Sequence, residues 1–451
     1  MRSPVKMETN ETESHWLRDW AVLVGAVILF AIFTQRYRLV MVNDSLSYLI
    51  YPFGSIDAMM RSTRTPGYPA FLWVVLRTFG MSVIPFLQML LHATSAWWMT
   101  KELKAWGLAG RPALAAGLAI ALGCTAIDNE AILSTDLLGA SAGVCTAAAL
   151  LAWVRSGASF RVGIPVVLFG FVAIAIRPAY LSLIPWVTVA GTLLLIYHHR
   201  STVGEAINRR HVFGWVTKSA AVSIGILTPV FIWMAARGIA VADFGVLPFG
   251  HQNLAGLTVQ IVSDGELLAV TNNSELAKQI INLKKSYHDD RPSISRGTDG
   301  STMTLESRWD DYVWLVIVPA ADRIFPKDSI KSHREIALMN KLIIARYPLR
   351  YARWIGLAMR RACWGTAANM VMHPLFLVCL MVAIAVHLTR MMRGKIFAAS
   401  TGPAVAALFI IAATYFFVNV GFVVLTSPPL GRFADACAIF VPAWIAARWV
   451  H

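Results

Sequence analysis

Asp44, followed by Ser45 and with Tyr48 one helical turn further on, stands just beyond the first long apolar run of the chain. A carboxylate at that boundary has two uses. It can cap the free N–H groups of a short helix, or it can take the proton of an incoming hydroxyl as a general base. Asp57 and Arg61 follow at i, i+4, the spacing of a modest surface ion pair. Arg64 precedes Thr-Pro-Gly-Tyr-Pro at 65–69, a bend by default because proline fixes φ and glycine frees it. Between Arg111 and Arg155 there is no Lys or Arg, yet Asp128, Glu130 and Asp136 occur there. Carboxylates at a membrane edge without a local cation are either solvated or turned toward a cavity. Asp128 and Glu130 read as solvated loop charges. Asp136 reads either as a cap, in competition with Ser134 and Thr135, or as a functional acid. Arg177 and Arg432 sit at turns beside apolar runs, where an arginine snorkels to head groups or offers its planar fork to a phosphate. His251 reads as a solvated loop histidine or a substrate contact. No His or Cys cluster has metal-ligand spacing.

The elements that must position these groups are membrane helices. Of 451 residues, 57% are hydrophobic and only 14% charged, well below the quarter that soluble domains carry. The apolar runs are continuous, unlike the dyad alternation of a barrel. About ten spans are expected, beginning near Trp20, Val83, Arg111, Asp136, Val162, Pro178, Arg210, Leu375, Val405 and Ala434. The first is expected to be retained and not cleaved as a signal peptide. Residues 69–80 are too short to cross and belong at the interface. The region from about 238 to 350 is the one long polar insert. Its middle, 286–303, reads as turn-rich and mobile, and its end, with Ile336, Met339, Leu342 and Ile343 at helical spacing among basic residues, reads as amphipathic interfacial helices. The net charge of +15 lies largely in short loops, as positive-inside topology requires, and no nucleic-acid module is present. With the loops at 101–111, 155–161, 198–210 and 390–395 inside, both termini are inside. Asp44, 128–136, Arg177, the insert and Arg432 then fall on the outer face.

The order of these signals resembles the GT-C class of integral-membrane glycosyltransferases, of the bacterial protein-mannosyltransferase and aminoarabinose-transferase type. The resemblance rests on the Asp after the first span, the Pro-Gly-Tyr-Pro knot before an interfacial helix, the acidic start of span four, the Arg-Pro turn and the terminal Arg-Phe…Pro. It covers the first 180 residues and the last span; the insert matches in position and in its ending, Ala-Arg-Tyr-Pro-Leu-Arg-Tyr. It implies an all-α polytopic enzyme that moves a sugar from a polyprenyl-phosphate donor to a lipid, glycan or protein acceptor outside the cytoplasm, with inversion. The implied location is a bacterial inner membrane among its lipids, with the site facing the periplasm or exterior and no nucleic-acid partner. Asp44 then matches the catalytic carboxylate and Asp136 the second acidic position, with Glu130 competing. Arg177 and Arg432 match carrier-phosphate residues; Arg61, Arg64 and the knot with Tyr68 shape the donor's entry, and His251 is a substrate contact. Where relatives carry Asp-Glu in the first loop this chain has Asp-Ser, so no cofactor is firmly implied and a divalent metal is left without support. The corresponding division is 1–237 as the N-terminal catalytic module with first outer loop 36–80, 238–371 as the extracytoplasmic loop with interfacial helices, and 372–451 as the C-terminal spans. Two other classes use similar residues. A transporter or flippase of a lipid-linked sugar should carry polar groups at mid-span and symmetric broken helices. A polysaccharide polymerase or ligase should place its arginines in the large outer loop.

Overall fold

A backbone in hydrocarbon must satisfy its own hydrogen bonds, and this chain does so with helices. The structure, a computed structural model, describes residues 8–202, 208–289, 302–326, 328–392, 402–429 and 431–450. Most of the stretch expected to be mobile (290–301), most of the 390–395 loop and the side chain of Arg432 lie outside the described residues.

Among them, six helical runs are long and apolar enough to cross a membrane: Trp16–Phe33, Gly110–Asn129, Asp136–Arg155, Pro178–Thr202, Arg209–Val241 and Pro403–Val424. A pair bent by 69°, Pro348–Met370 with Pro374–Val386, makes a seventh if taken as one span. The remaining expected spans are present as helices that fall short for identifiable reasons. α5 (Ile84–Ala105) carries Gln88, His92, Lys101, Glu102 and Lys104, and α9 (Phe160–Ile176) has 17 residues. The last apolar run breaks into α21 (Gly431–Cys437) and α22 (Phe440–Val450). All three still pack into the bundle, α5 and α9 against α8 (Asp136–Arg155) and α22 against α6 (Gly110–Ala121).

α8 is the axis of the bundle and is buried on nearly every side. Its two ends collect different chemistry. At the C-terminal end Arg155 reaches Glu102 at 2.9 Å, Trp106 donates its indole N–H to the Leu151 carbonyl at 3.2 Å, and the Trp106 and His198 rings lie 5.1 Å apart. That end therefore gathers the basic loops. Its N-terminal end meets the first outer loop. Val40 forms a parallel bridge to Ile132, with Val40 N–H on the Ala131 carbonyl at 2.9 Å and Leu133 N–H on the Val40 carbonyl at 3.0 Å.

After α11 (Arg209–Val241) the chain folds into a helical insert: α12 (Gly250–Thr258), α13 (Asp264–Val270), α14 (Ser274–Asp289), α15 (Thr302–Asp311), α16 (Val318–Ile324) and α17 (Ser329–Arg346). Leu267, Ile280, Tyr312, Val316, Ile336 and Met339 lie in its own core. The start of α13 carries a capping box, Ser263 with Glu266. One expectation changes here: the α17 stripe assigned to the membrane interface turns inward, with Ile336, Met339 and Ile343 fully buried. An apolar stripe fixes which side of a helix leaves water, but lipid and protein satisfy it equally. α18 (Pro348–Met372) then returns to the bundle, its Trp354 donating to the Val424 carbonyl of α20 (Pro403–Val424) at 3.1 Å.

The 65–69 knot has a packing function beyond the bend. α4 (Gly67–Thr78) lies so close to the end of α9 that a Cβ on Gly67 would sit 2.5 Å from the Ala175 carbonyl carbon and oxygen. Backbone cannot yield as a side chain does, so Gly67→Ala should cost about 1–3 kcal/mol. Gly54→Ala, where nothing lies within 4 Å, should be nearly neutral. Thermal unfolding of both purified variants in detergent tests the contact; equal midpoints would remove it.

Candidate functional site

Asp44 occupies the N-cap position of α2 (Ser45–Leu49), yet its side chain makes no capping bond. It is turned instead to Arg64, whose Nη2 donates to Asp44 Oδ1 at 2.6 Å. The same guanidinium donates through Nε to Ser47 Oγ at 2.8 Å and through Nη1 to the Tyr48 hydroxyl at 3.4 Å, and it lies 4.8 Å from the Tyr48 ring centroid. The single turn Ser-Leu-Ser-Tyr thus wraps the arginine, with donors matched to acceptors and a cation over an aromatic face. Behind it the Tyr48 ring meets Tyr68 edge-on at 5.2 Å. The Tyr68 hydroxyl donates to Gln88 Oε1 at 2.9 Å, and Gln88 Nε2 donates to the carbonyls of Glu130 and Ile132, each at 3.2 Å. One hydrogen-bonded path therefore runs from the first outer loop through α5 to the link before α8. The Arg64 and Asp44 side chains remain about one quarter exposed, so the pair is reachable from one side.

Asp136 is the first residue of α8; Thr135, at the N-cap position, makes no side-chain capping bond, and the Asp136 carboxylate pairs with Arg177. Arg177 lies between α9 and the tight turn Pro178–Ser182, in extended backbone (φ −147°, ψ 115°) that aims its side chain across to α8. Extended geometry is what the following proline favours. The two arginine–carboxylate pairs share an anchor: Thr65 Oγ donates to the Ile176 carbonyl at 3.3 Å, one residue from Arg64 on one side and one from Arg177 on the other. Arg177 also lines a half-open cleft of about 330 Å³, mouth included, with Tyr180, Asn419, Val423 and Cys437.

Glu130 departs from its expected role as a solvated charge. It is 1% exposed, and its Oε1 has no hydrogen-bond partner among the described residues. Burial pushes its carboxyl up to about 8; the Arg36 charge opposes this and Asp128 adds to it. Asp128 itself is exposed and meets Arg36 at 3.3 Å, the solvated charge it was expected to be.

Three other expected residues stand apart. Arg61 makes the exposed i, i+4 pair with Asp57 at 2.9 Å. His251 is in α12, its ring 4.8 Å from that of His333 on α17. Arg432 falls in α21, and three residues on Asp435 accepts from Asn369 at 3.2 Å. Sequence reasoning passed over Gln88 and Asn419. Asn419 is buried, accepts from Ser182 Oγ at 2.6 Å, and lines the cleft. A lone polar residue inside an apolar run is the signal that could have found both. Among the described residues no group of three or more His, Cys, Asp or Glu is placed to hold a metal ion.

No family model matches the chain, and no curated protein matches it. Among solved structures, the archaeal oligosaccharyltransferase AglB from Archaeoglobus fulgidus, in complex with an inhibitory peptide and a dolichol-phosphate, is similar at 13% identity with a TM-score of 0.42. The match covers 94% of this chain and 50% of that one, so the chain spans half the length of that protein.

The buried Glu130 gives a signed expectation. Unfolded, it releases its proton near 4.5; folded, it holds it to about 8. Folding therefore binds a proton between these values, and stability falls as pH rises through them. Glu130→Gln removes that titration. Its stability relative to wild type should grow from pH 4.5 to 8 and then level off. Thermal unfolding across that range measures it, and a pH-independent difference would contradict the buried placement.

Proposed function

We propose that the chain is an integral-membrane glycosyltransferase that moves a sugar from a polyprenyl-phosphate donor to a hydroxyl acceptor (lipid, glycan or protein) on the extracytoplasmic face, with inversion. The observation that carries this reading is the joining of two arginine–carboxylate pairs, Arg64 with Asp44 and Arg177 with Asp136, through the single Thr65–Ile176 hydrogen bond beside the cleft. Their end of the bundle is opposite the basic loops, which supports an outward-facing site under the positive-inside bias. In this reading residues 1–237 are the catalytic membrane module, 238–371 the extracytoplasmic loop with its interfacial helices and 372–451 the C-terminal spans.

The chemistry follows from the pairing. A polyprenyl phosphate is already a good leaving group, so the site must supply charge stabilisation and a base. The donor's phosphate competes for the guanidinium groups of Arg177 and Arg64, whose parallel donors suit phosphate oxygens. An arginine that turns to phosphate releases its carboxylate. Asp44, freed from Arg64, then accepts the acceptor's hydroxyl proton as its oxygen forms a bond to the anomeric carbon and the bond to phosphate oxygen breaks. Displacement in one step inverts the anomeric centre.

The test is sugar release from a panel of labelled polyprenyl-phosphate sugars by the purified chain in nanodiscs with hydroxyl acceptors. Asp44→Asn should lower kcat on the order of 10²–10⁴-fold, the usual weight of a general base. Arg177→Lys should chiefly raise KM for the donor, since a point charge replaces a two-point fork. An Asp44→Asn enzyme that transfers at the wild-type rate would end the assignment of the base, and a donor that crosses the bilayer uncleaved would make the chain a transporter.

A further inference from the structure

Away from the two paired carboxylates lies a third charged group that the reaction above does not use. Arg237, four residues before the end of α11, is wholly buried. It donates to the Met60 carbonyl, at the end of α3 (Ile56–Arg61), and pairs with Asp243. Asp243 Oδ1 lies 3.4 Å from His333 Nδ1 of α17. The His333 ring packs on His251 of α12, whose carbonyl accepts from Asn340 of α17 at 2.8 Å. Met60, Val241 and Ile330 make a small apolar cluster around the same point. Burial alone raises the Asp243 carboxyl, but its contacts with His333 and Arg237 outweigh this and hold it below the usual carboxylate range. Side chains from the insert, the end of α11 and the first outer loop thus converge on one guanidinium. Four residues beyond Met60 stands Arg64, the partner of Asp44.

We propose that Arg237 is a positioning residue that couples the insert to the first outer loop: where α17 sits is carried through His333 and Asp243 to the Met60 carbonyl, and so to the segment that presents Arg64. Buried ion pairs give little net stability compared with apolar packing, and what they fix is geometry. Here the fork geometry matters, because one guanidinium must serve a carbonyl and a carboxylate together. An insert that shifts when an acceptor docks would then change how Arg64 holds Asp44. That last step rests on the glycosyl-transfer reading; the coupling itself does not.

The experiment is hydrogen–deuterium exchange on the full chain in lipid nanodiscs, comparing wild type with Arg237→Lys, Asp243→Asn and His333→Phe. Phenylalanine keeps a ring against His251 and removes only the Asp243 contact, so that variant should fold even if the first two do not. Exchange of the amides at 56–64 should rise about tenfold in His333→Phe, while α8 and the α13–α14 core are unchanged. Asp243→Glu should recover part of the protection that Asp243→Asn loses, which a generally weakened fold would not do. Unchanged exchange at 56–64 in His333→Phe, or a rise spread evenly over the protein, would overturn the proposal. Because no substrate is needed, a loop that responds in a protein that turns over no donor would sink the transfer reading and leave the coupling standing.

Discussion

A guanidinium withdrawn from water must find a negative partner or a full set of acceptors, and this constraint organises the end of the bundle where α8 begins. Arg64, Arg177 and Arg237 each meet a carboxylate there. The partners of the first two pairs are separated by 20 and 41 residues, so satisfying the charges brings distant segments together. α2 turns around Arg64, α8 starts where Arg177 can reach it, and the end of α3 is held to α11 by Arg237. If either member of such a pair were removed, the segments it joins would lose that common anchor.

The pairs differ from Glu130, and the contrast divides the acidic residues by role. Asp44 and Asp136 each pair with an arginine. Glu130 is buried with its Oε1 unmatched among the described residues and is driven toward its neutral form. Carboxylates only a few residues apart in sequence, Glu130 and Asp136, thus have different surroundings: Asp136 pairs with Arg177, and Glu130 is buried with its Oε1 unmatched among the described residues. The Tyr68–Gln88 path holds the link containing both in place through backbone carbonyls, which constrains position without touching either charge.

The insert contributes in another way. It has its own apolar core, built largely from α12 to α17, and shares a second buried cluster with the bundle through Leu257, Trp309 and Val313, which lie with Val420, Val424 and Cys437. The Arg237 node is a second, charged meeting point. The charged node is where the insert meets the first outer loop.

Composition and continuous apolar runs were enough to identify a helical membrane protein, because lipid leaves a backbone few alternatives. The position of the knot, the break at Arg177 and the sorting of basic loops to one end were legible for similar reasons: proline, glycine and charge act locally. The number of crossing helices was not, because α5, α9 and the broken last run are held by helix neighbours despite their length or polarity. The site was legible as a set of residues and not as an arrangement. Asp44 and Asp136 each look like helix caps to their own neighbours; only the fold brings Arg64 and Arg177 within reach and makes them ion-paired acids. Glu130 and the α17 stripe show the same limit from the other side. Whether a charge is solvated, or an apolar face meets lipid or protein, is decided by what packs against it, and that partner is distant in sequence.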